Sequence, residues 1–223
     1  MRLHMGSTMM VVGPTNSGKT VFIMNLIDNA RELFDITPTH VYWCYGHRTA
    51  EHENMTRRGY NMIFGIPQNF DIIPPNSIIV LDDLMMESAN DRHVSNLFIR
   101  TAHHKPCFVI YTQQNLFPRG DNESRNRAIN TQYLVLFKNP MDQLSIRYLE
   151  QRMYPHSKGF LVKAFTRATS SQAHTYLFID SHQKTPEIVR LRSRILPYER
   201  PMVVFVDKRN FADVTVGRLL QNE

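Results

Sequence analysis

The stretch that most constrains the fold is residues 13–20, which read GPTNSGKT. They follow an apolar run at residues 9–12 and precede a second apolar run at residues 21–24. The pattern G-x-x-x-x-G-K-[ST] between a buried strand and a helix is typical of a phosphate-binding loop, the Walker A motif. Gly13 and Gly18 permit backbone angles that side chains forbid, so successive N–H groups can turn towards phosphate oxygens. The sequence therefore predicts a nucleotide site.

The loop assigns a role to each of its positions. The N–H groups would surround the phosphates, and the helix that begins near Lys19 would add the positive end of its dipole. Lys19 would reach the β- and γ-phosphates of ATP, and the Thr20 hydroxyl would ligate Mg²⁺. The predicted nucleotide-binding residues are Gly13, Pro14, Thr15, Asn16, Ser17, Gly18, Lys19 and Thr20.

A second signature, of the Walker B type, lies at residues 77–83. Four apolar residues at 78–81 are followed by Asp82 and Asp83. An acidic group at the end of a buried strand beside the phosphate loop can hold Mg²⁺, usually through water. We assign that role to Asp82 and expect Asp83 to polarise the attacking water as a general base. The alternative is an ordinary acidic strand exit, which the pairing with Lys19 argues against.

A third strand is predicted at residues 107–112 and ends in polar amides. A polar amide at the tip of the strand beside the acidic one can sense the γ-phosphate and orient water. Gln113 is the first candidate for this role and Gln114 the second. A polar strand exit without a function is the alternative.

Strands that alternate with helices indicate an α/β fold with a mostly parallel central sheet flanked by helices, the fold of a P-loop NTPase with a RecA-like core. In such sheets the phosphate loop and the strand tips gather at the carboxyl edge, where ligands bind. We expect one ATPase domain over residues 1–207, then a tail or docking helix at 208–223. Further strands are predicted at 40–45, 132–137, 174–180 and 187–196, and helices at 20–34, 87–102 and 141–153.

The charge of the chain limits its partners. A net charge of +6 over 223 residues favours a polyanion, and both nucleic acid and an anionic membrane surface remain open. Two cysteines without a C-x-x-C pair suggest a reducing compartment. The first strand is too short for a signal peptide or a membrane span, so we expect a soluble intracellular chain.

Residues 187–196 carry a basic stripe. If they form an alternating strand, Arg190, Arg192 and Arg194 face one way, with Val189 and Leu191 on the other face. Such a stripe suits a phosphate backbone, although a solvated face has the same pattern.

Two further groups of side chains have weaker patterns. Tyr42, Trp43 and Tyr45 could stack on bases, but packing within a buried strand is the favoured interpretation. Zinc could be held by Cys44 with His47 and His52, or by Cys107 with His103 and His104. Neither set has the usual paired-ligand spacing.

Several segments together resemble the FtsK/HerA-type genome-packaging ATPases of DNA viruses, in the poxvirus-like packaging ATPase branch found in Polinton-like elements, adintoviruses and virophages. The resemblance spans residues 9–206, and the matching segments beyond the phosphate loop are IIVLDDLM, YTQQNLFPRG, NTQYLVLFKNPMD and EIVRLRSRILP. The family pattern is T-Q-N-L-F, whereas this chain has a second glutamine, Gln114. That insertion leaves the sensor between Gln113 and Gln114.

The resemblance implies a ring of subunits, a pentamer or a hexamer, that drives double-stranded DNA into a capsid at a capsid or portal vertex. It implies ATP and Mg²⁺ bound between neighbouring subunits, and a virion-associated or host intracellular location in cytoplasm or nucleus. An arginine from the adjacent subunit would stabilise charge on the transferring phosphoryl group. Arg100, Arg125 and Arg127 are the candidates, and each has a plain surface role as its alternative.

Other P-loop classes fit less well. The N-K-x-D motif that reads guanine is not present, since Lys138, Asn139 and Pro140 have the wrong arrangement. The arginine-rich lid of small-metabolite kinases is also missing, although Arg125 and Arg127 could imitate one. A small-molecule or nucleoside kinase, and a helicase or replication-linked ATPase, remain the alternatives to the packaging motor.

Overall fold

A single nine-stranded sheet runs through the part of the chain that the computed structural model describes, residues 2–67, 69–70, 72–84, 106–118, 128, 130–199 and 201–207. The strands are β1 Thr8–Val12, β2 His40–Tyr45, β3 Asn61–Phe64, β4 Ser77–Asp82, β5 Phe108–Gln113, β6 Tyr133–Phe137, β7 Tyr176–Asp180, β8 Leu191–Ser193 and β9 Val203–Phe205. The helices are α1 Lys19–Asp28, α2 Ala30–Leu33, α3 Glu51–Arg57, α4 Gln143–Met153 and α5 Phe160–Thr169.

The sheet has a parallel part and an antiparallel part. Its order is β3-β2-β4-β5-β1-β6-β7-β8-β9, and the first six strands of this order run parallel. Strands β7, β8 and β9 are antiparallel to their neighbours. The predicted α/β fold with a mostly parallel sheet is confirmed. The carboxyl ends of β1, β4, β5 and β6 therefore share one edge, while β7 ends at the opposite edge.

Helices cover both faces of the sheet, so its central strands are apolar on both sides. Side chains alternate between the faces along each strand. One face packs Met9 and Val11 of β1 against α1, through Phe22, Ile23 and Leu26. The other face packs Met10 and Val12 against α4 and α5, through Ile146, Leu149, Leu161 and Ala164. The phosphate loop is thereby anchored between a fully buried strand and a half-buried helix.

The predicted helix at residues 20–34 is two helices. It breaks at Asn29, whose φ of −102° and ψ of 19° are not helical. The Asn29 side-chain amide donates to the carbonyl oxygen of Asn25 at 2.8 Å. Asparagine side chains that bond nearby backbone groups compete with helix continuation, which explains the break.

The predicted alternating strand at residues 187–196 is wrong. The chain forms a 3₁₀ turn at Glu187–Val189, then only the three-residue strand β8, and Arg194 has a left-handed φ of 59°. Arg192 is buried and bonds Asp180, while Arg190 donates to the carbonyl oxygens of Asp180 and Thr185. Two of the three arginines thus stabilise the fold internally, and no basic stripe faces outwards at this strand.

Some predictions fall outside the described residues. These are the helix at 87–102, the tail at 208–223 and the arginines discussed below. Within the ranges given above, none of the helices combines the length and the apolar character needed to cross a bilayer.

Candidate nucleotide site

The phosphate loop leaves β1 at Gly13 and enters α1 at Gly18. The Gly13 N–H donates to the Gln113 carbonyl oxygen at 3.1 Å, which ties the start of the loop to β5. The Ser17 N–H donates to the Pro14 carbonyl oxygen at 3.2 Å. Asn16 and Gly18 have left-handed φ values of 63° and 102°. Left-handed residues in such a turn let successive N–H groups form an anion-binding concavity.

Two details inside the loop fit a bound phosphate. A Cβ atom added at Gly13 would lie 2.6 Å from Ser17 Oγ and 2.7 Å from Phe137 Cβ, so only glycine is tolerated there. The hydroxyl of Ser17 is buried and has no hydrogen-bond partner among the described residues. A buried hydroxyl normally has a partner, and a phosphate oxygen would supply one. The loop residues therefore fit the phosphate groups that the sequence predicts.

Lys19 lies across the mouth of the loop. Its Nζ donates to the Gly13 carbonyl oxygen at 2.7 Å and to the Pro14 carbonyl oxygen at 3.0 Å. Burial lowers the pKa of Lys19, and the carboxylates of Asp82 and Asp83 oppose that shift. The ammonium group is thus held by neutral oxygens, so its positive charge remains available to a phosphate.

The acidic end of β4 faces this lysine and is organised by Thr112 of β5. Thr112 Oγ1 donates to Asp82 Oδ1 at 2.8 Å and accepts the Asp83 backbone N–H at 3.0 Å. Burial raises the pKa of Asp82, while the Thr112 hydrogen bond lowers it. The nearby Trp43 indole also lowers the pKa of Asp82, although its N–H is not close enough in geometry to form a hydrogen bond. One hydroxyl therefore fixes both acidic residues at the sheet edge.

Asp83 stands at a bend immediately after β4. Its φ of 52° is left-handed, which is uncommon for a residue with a side chain and is often found at functional positions. Its side chain is exposed, in contrast to the partly buried Asp82. Thr20 is half-buried in the first turn of α1. The structure thus brings Lys19, Thr20, Asp82 and Asp83 to one edge, and Asp82 and Thr20 have the oxygen atoms that Mg²⁺ prefers.

Gln113, the first sensor candidate, lies elsewhere. Its side-chain Nε2 donates to the Leu116 carbonyl oxygen at 3.1 Å and contacts Met10 Sδ at 3.2 Å, and the residue is only 1% exposed. Both contacts lie on the face of the sheet covered by α4 and α5. The structure therefore does not bring the Gln113 amide to the acidic pair, and Gln114 is exposed beyond the strand end.

Thr112 is the residue that the sequence interpretation missed. Leu81 pairs with Tyr111 across β4 and β5, so the next step of the register places Thr112 beside Asp82 and Gln113 beside Asp83. Alternation then puts Thr112 and Asp82 on the same face. The signal was present in the sequence once the parallel pairing of the two strands was assumed.

The remaining candidates from the sequence are the arginines for the neighbouring site, the possible zinc ligands and the aromatic residues of β2. Arg100, Arg125 and Arg127 lie outside the described residues, as do His103 and His104. Trp43 is fully buried and its ring stacks on Tyr60 at 6.2 Å, which confirms core packing for Trp43, whereas Tyr42 and Tyr45 of the same strand are half-buried. In the part of the chain that is described, no cluster of three or more His, Cys, Asp or Glu side chains could hold a metal ion.

No protein-family model matches the sequence, and no curated protein matches it. Among solved structures, the chain is similar to the genome packaging NTPase B204 from Sulfolobus turreted icosahedral virus 2, in complex with ATP-gammaS. The identity is 10%, over 81% of this chain and 95% of that chain, with a TM-score of 0.44. It is also similar to a KaiC-like protein from the hyperthermophilic archaeon Pyrococcus horikoshii OT3, at 13% identity over 90% of each chain and a TM-score of 0.42. Similarities this low carry no inference about activity.

Proposed function

We propose that this chain is an ATP-hydrolysing motor that translocates double-stranded DNA into a viral capsid. The observation that carries the ATPase part is the convergence of Lys19, within a phosphate loop, with Asp82 and Asp83 at the same edge of a parallel sheet. The DNA-packaging part depends on the resemblance of five sequence segments to packaging ATPases. The net charge of +6 supports a polyanionic partner.

The residues of the site divide the work of hydrolysis among them. Backbone N–H groups of the loop and the Lys19 ammonium hold the phosphates in place. Thr20 and Asp82 would hold Mg²⁺, which neutralises charge on the phosphate oxygens when it is bound. Asp83, exposed at its left-handed bend, accepts a proton from the attacking water.

The motor would be an assembly of several subunits, because the candidate arginines would act across a subunit boundary. One of Arg100, Arg125 and Arg127 would enter the site of the neighbouring subunit and stabilise the transferring phosphoryl group. The partners of the chain are then copies of itself in a ring, double-stranded DNA and a capsid or portal vertex. Hydrolysis by an isolated subunit is correspondingly slow.

The test is phosphate release from ATP and Mg²⁺, measured with and without long double-stranded DNA over a range of protein concentrations. We expect a rate that rises with DNA and rises faster than linearly with protein. Lys19→Ala abolishes it, because the phosphates lose their cation. Lys158→Ala, which removes an exposed lysine outside the site, is the matched control and leaves the rate unchanged.

Three outcomes would contradict parts of this proposal. Normal hydrolysis in Lys19→Ala would remove the site assignment. A rate indifferent to DNA and linear in protein would indicate a monomeric nucleotide enzyme, and transfer of phosphate to an acceptor would then identify a kinase. Strand separation by a DNA-stimulated enzyme would indicate a helicase.

A further inference from the structure

A histidine that belongs to none of the sequence motifs contacts the phosphate loop. His174 lies in the segment between α5 and β7, far from the loop in sequence, and its Nδ1 is 3.0 Å from the Ser17 carbonyl oxygen. A Cβ atom added at Gly18 would lie 3.2 Å from both Cβ and Nδ1 of His174. The imidazole therefore packs directly on the Ser17–Gly18 peptide, where the loop enters α1.

In the hydrogen bond between His174 and Ser17, the donor can be identified. A carbonyl oxygen only accepts hydrogen bonds, so the proton lies on Nδ1 of His174 and the imidazole donates. In a planar trans peptide the C=O and the following N–H point in opposite directions. Because His174 draws the Ser17 carbonyl towards itself, it turns the Gly18 N–H away from the imidazole. This is one of the N–H groups expected to meet phosphate at the start of α1.

The backbone at His174 shows that its position is not relaxed. Its φ of 62° is left-handed, a conformation that costs free energy for a residue with a side chain, although histidine is among the residues enriched there. The turn that contains His174 is closed by Thr175 Oγ1, which donates to the Gln172 carbonyl oxygen at 2.9 Å. This backbone conformation and the contact with the loop are two separate observations that concern the same residue.

We propose that His174 is a positioning residue of the nucleotide site, which holds the Ser17–Gly18 peptide with its N–H directed at the phosphates. The ligand class is a nucleoside triphosphate, so this inference rests on the proposed function. His174 acts through the loop and takes no part in proton transfer to or from the reacting water. It strengthens binding of the phosphates to the loop and therefore changes nucleotide affinity more than the chemical step.

The experiment compares His174→Gly with His174→Asn. Glycine adopts the left-handed conformation without strain but has no donor. Asparagine also tolerates that conformation, and its side-chain amide can donate from nearly the position of Nδ1. The measurements are the Kd of a fluorescent ATP analogue and the KM and kcat of DNA-stimulated phosphate release. We expect His174→Gly to raise Kd and KM about three- to tenfold with a smaller change in kcat, as for loss of one hydrogen bond. His174→Asn restores affinity close to that of the wild type.

The controls separate this inference from the proposed function. Wild-type protein that binds the analogue, together with a Lys19→Ala variant that does not, establishes the site independently of His174. If His174→Gly then binds as tightly as wild type, or if His174→Asn is weakened as much as His174→Gly, the inference is overturned. A lower melting temperature in His174→Gly with unchanged affinity would also overturn it, because the residue would then only stabilise the fold. Wild-type protein that binds no nucleotide would remove both proposals.

Discussion

Two buried strands end in the same way in the sequence but at opposite edges of the sheet. Strand β4 reads SIIVLD and ends at Asp82, and strand β7 reads YLFID and ends at Asp180. Because β4 runs parallel to β1 and β5, Asp82 arrives beside the phosphate loop. Because β7 is antiparallel to β6, Asp180 pairs with Tyr133 at the start of β6 and lies at the far edge. The direction of the strand, rather than its sequence, separates the two acids.

The two aspartates, Asp82 and Asp180, also have different hydrogen-bond and ion-pair partners. Asp180 meets a buried cation, since its Oδ2 is 3.3 Å from Nη2 of Arg192, and its Oδ1 accepts the His182 N–H at 3.2 Å. Asp82 meets the Thr112 hydroxyl, and the nearby Lys19 gives its hydrogen bonds to loop carbonyls instead. The charge of Asp180 is therefore neutralised within the fold. Among the described residues Asp82 forms no ion pair, so a metal ion would supply its countercharge.

The largest effect is expected at the structural acid. Asp180→Asn removes the carboxylate that pairs with the buried Arg192 guanidinium, and breaking a buried ion pair in this way costs about 3–5 kcal/mol of unfolding free energy. Urea unfolding measures the loss. Phosphate release per folded molecule stays at the wild-type value, because the pair lies at the edge opposite the phosphate loop. If kcat of Asp180→Asn differed from that of wild type at the same folded fraction, Asp180 would not be a purely structural acid.

A paired replacement provides the control. Asp180→Leu combined with Arg192→Met removes both charges together, and such replacements of buried ion pairs by apolar residues are often neutral or stabilising. The double variant should therefore recover most of the stability that Asp180→Asn loses. If it does not, the stability came from the shape of the site rather than from the ion pair.

The second effect concerns the functional acid. Asp82→Asn keeps the shape and the Thr112 contact but removes the charge that would organise Mg²⁺, so hydrolysis should fall by about a hundredfold or more. The free energy of unfolding should not fall, because burial disfavours the charged Asp82 carboxylate and the neutral amide avoids that cost. Phosphate release and urea unfolding of the same preparation test both halves. Loss of stability with retained hydrolysis would reverse the roles assigned to Asp82 and Asp180.

The sequence predicted much of this edge because its patterns are local. The phosphate loop and the acidic pair are contiguous motifs, so their residues could be named directly, and the apolar runs predicted most strands to within a residue or two. The side chain that points at the acidic pair required the register of β4 and β5. Sequence proximity to the strand tip favoured Gln113, whereas alternation across the paired strands selects Thr112.

The opposite edge was harder to predict because its contacts join distant segments. Arg190, Arg192 and Arg194 form a perfect alternation in the sequence, which ignores the partners that the fold provides. Arg192 pairs with Asp180 of a different strand, and Arg190 bonds carbonyl oxygens in the turn after β7. A charge pattern indicates an outward face only where no buried acid or carbonyl group can accept its hydrogen bonds.

A smaller effect should follow from changing Thr112. Thr112→Val keeps the shape but removes the hydrogen bonds to Asp82 Oδ1 and from the Asp83 N–H, so we expect hydrolysis to fall about tenfold. Thr112→Ser retains the hydroxyl and is the matched control, with activity near that of wild type. The measurement is kcat and KM for phosphate release. Equal activity in the valine and serine variants would show that the hydroxyl does not organise the acidic pair.

The smallest effect is a pH dependence of stability in the absence of Mg²⁺ and nucleotide. Burial raises the pKa of Asp82, so the folded state takes up a proton more readily than the unfolded chain as the pH falls. Above the raised pKa, the charged Asp82 therefore lowers the free energy of unfolding of the wild-type protein. This loss of stability disappears as the pH falls through the raised pKa to the ordinary carboxyl range. Asp82→Asn has no such group and should be more stable than wild type at neutral pH, with an advantage that vanishes in acid. Urea unfolding of both proteins across this pH range measures the difference. If Asp82→Asn were more stable than wild type by the same amount at every pH, the gain would come from better packing of the amide. The burial of an unpaired Asp82 charge would then not be the feature that separates it from Asp180.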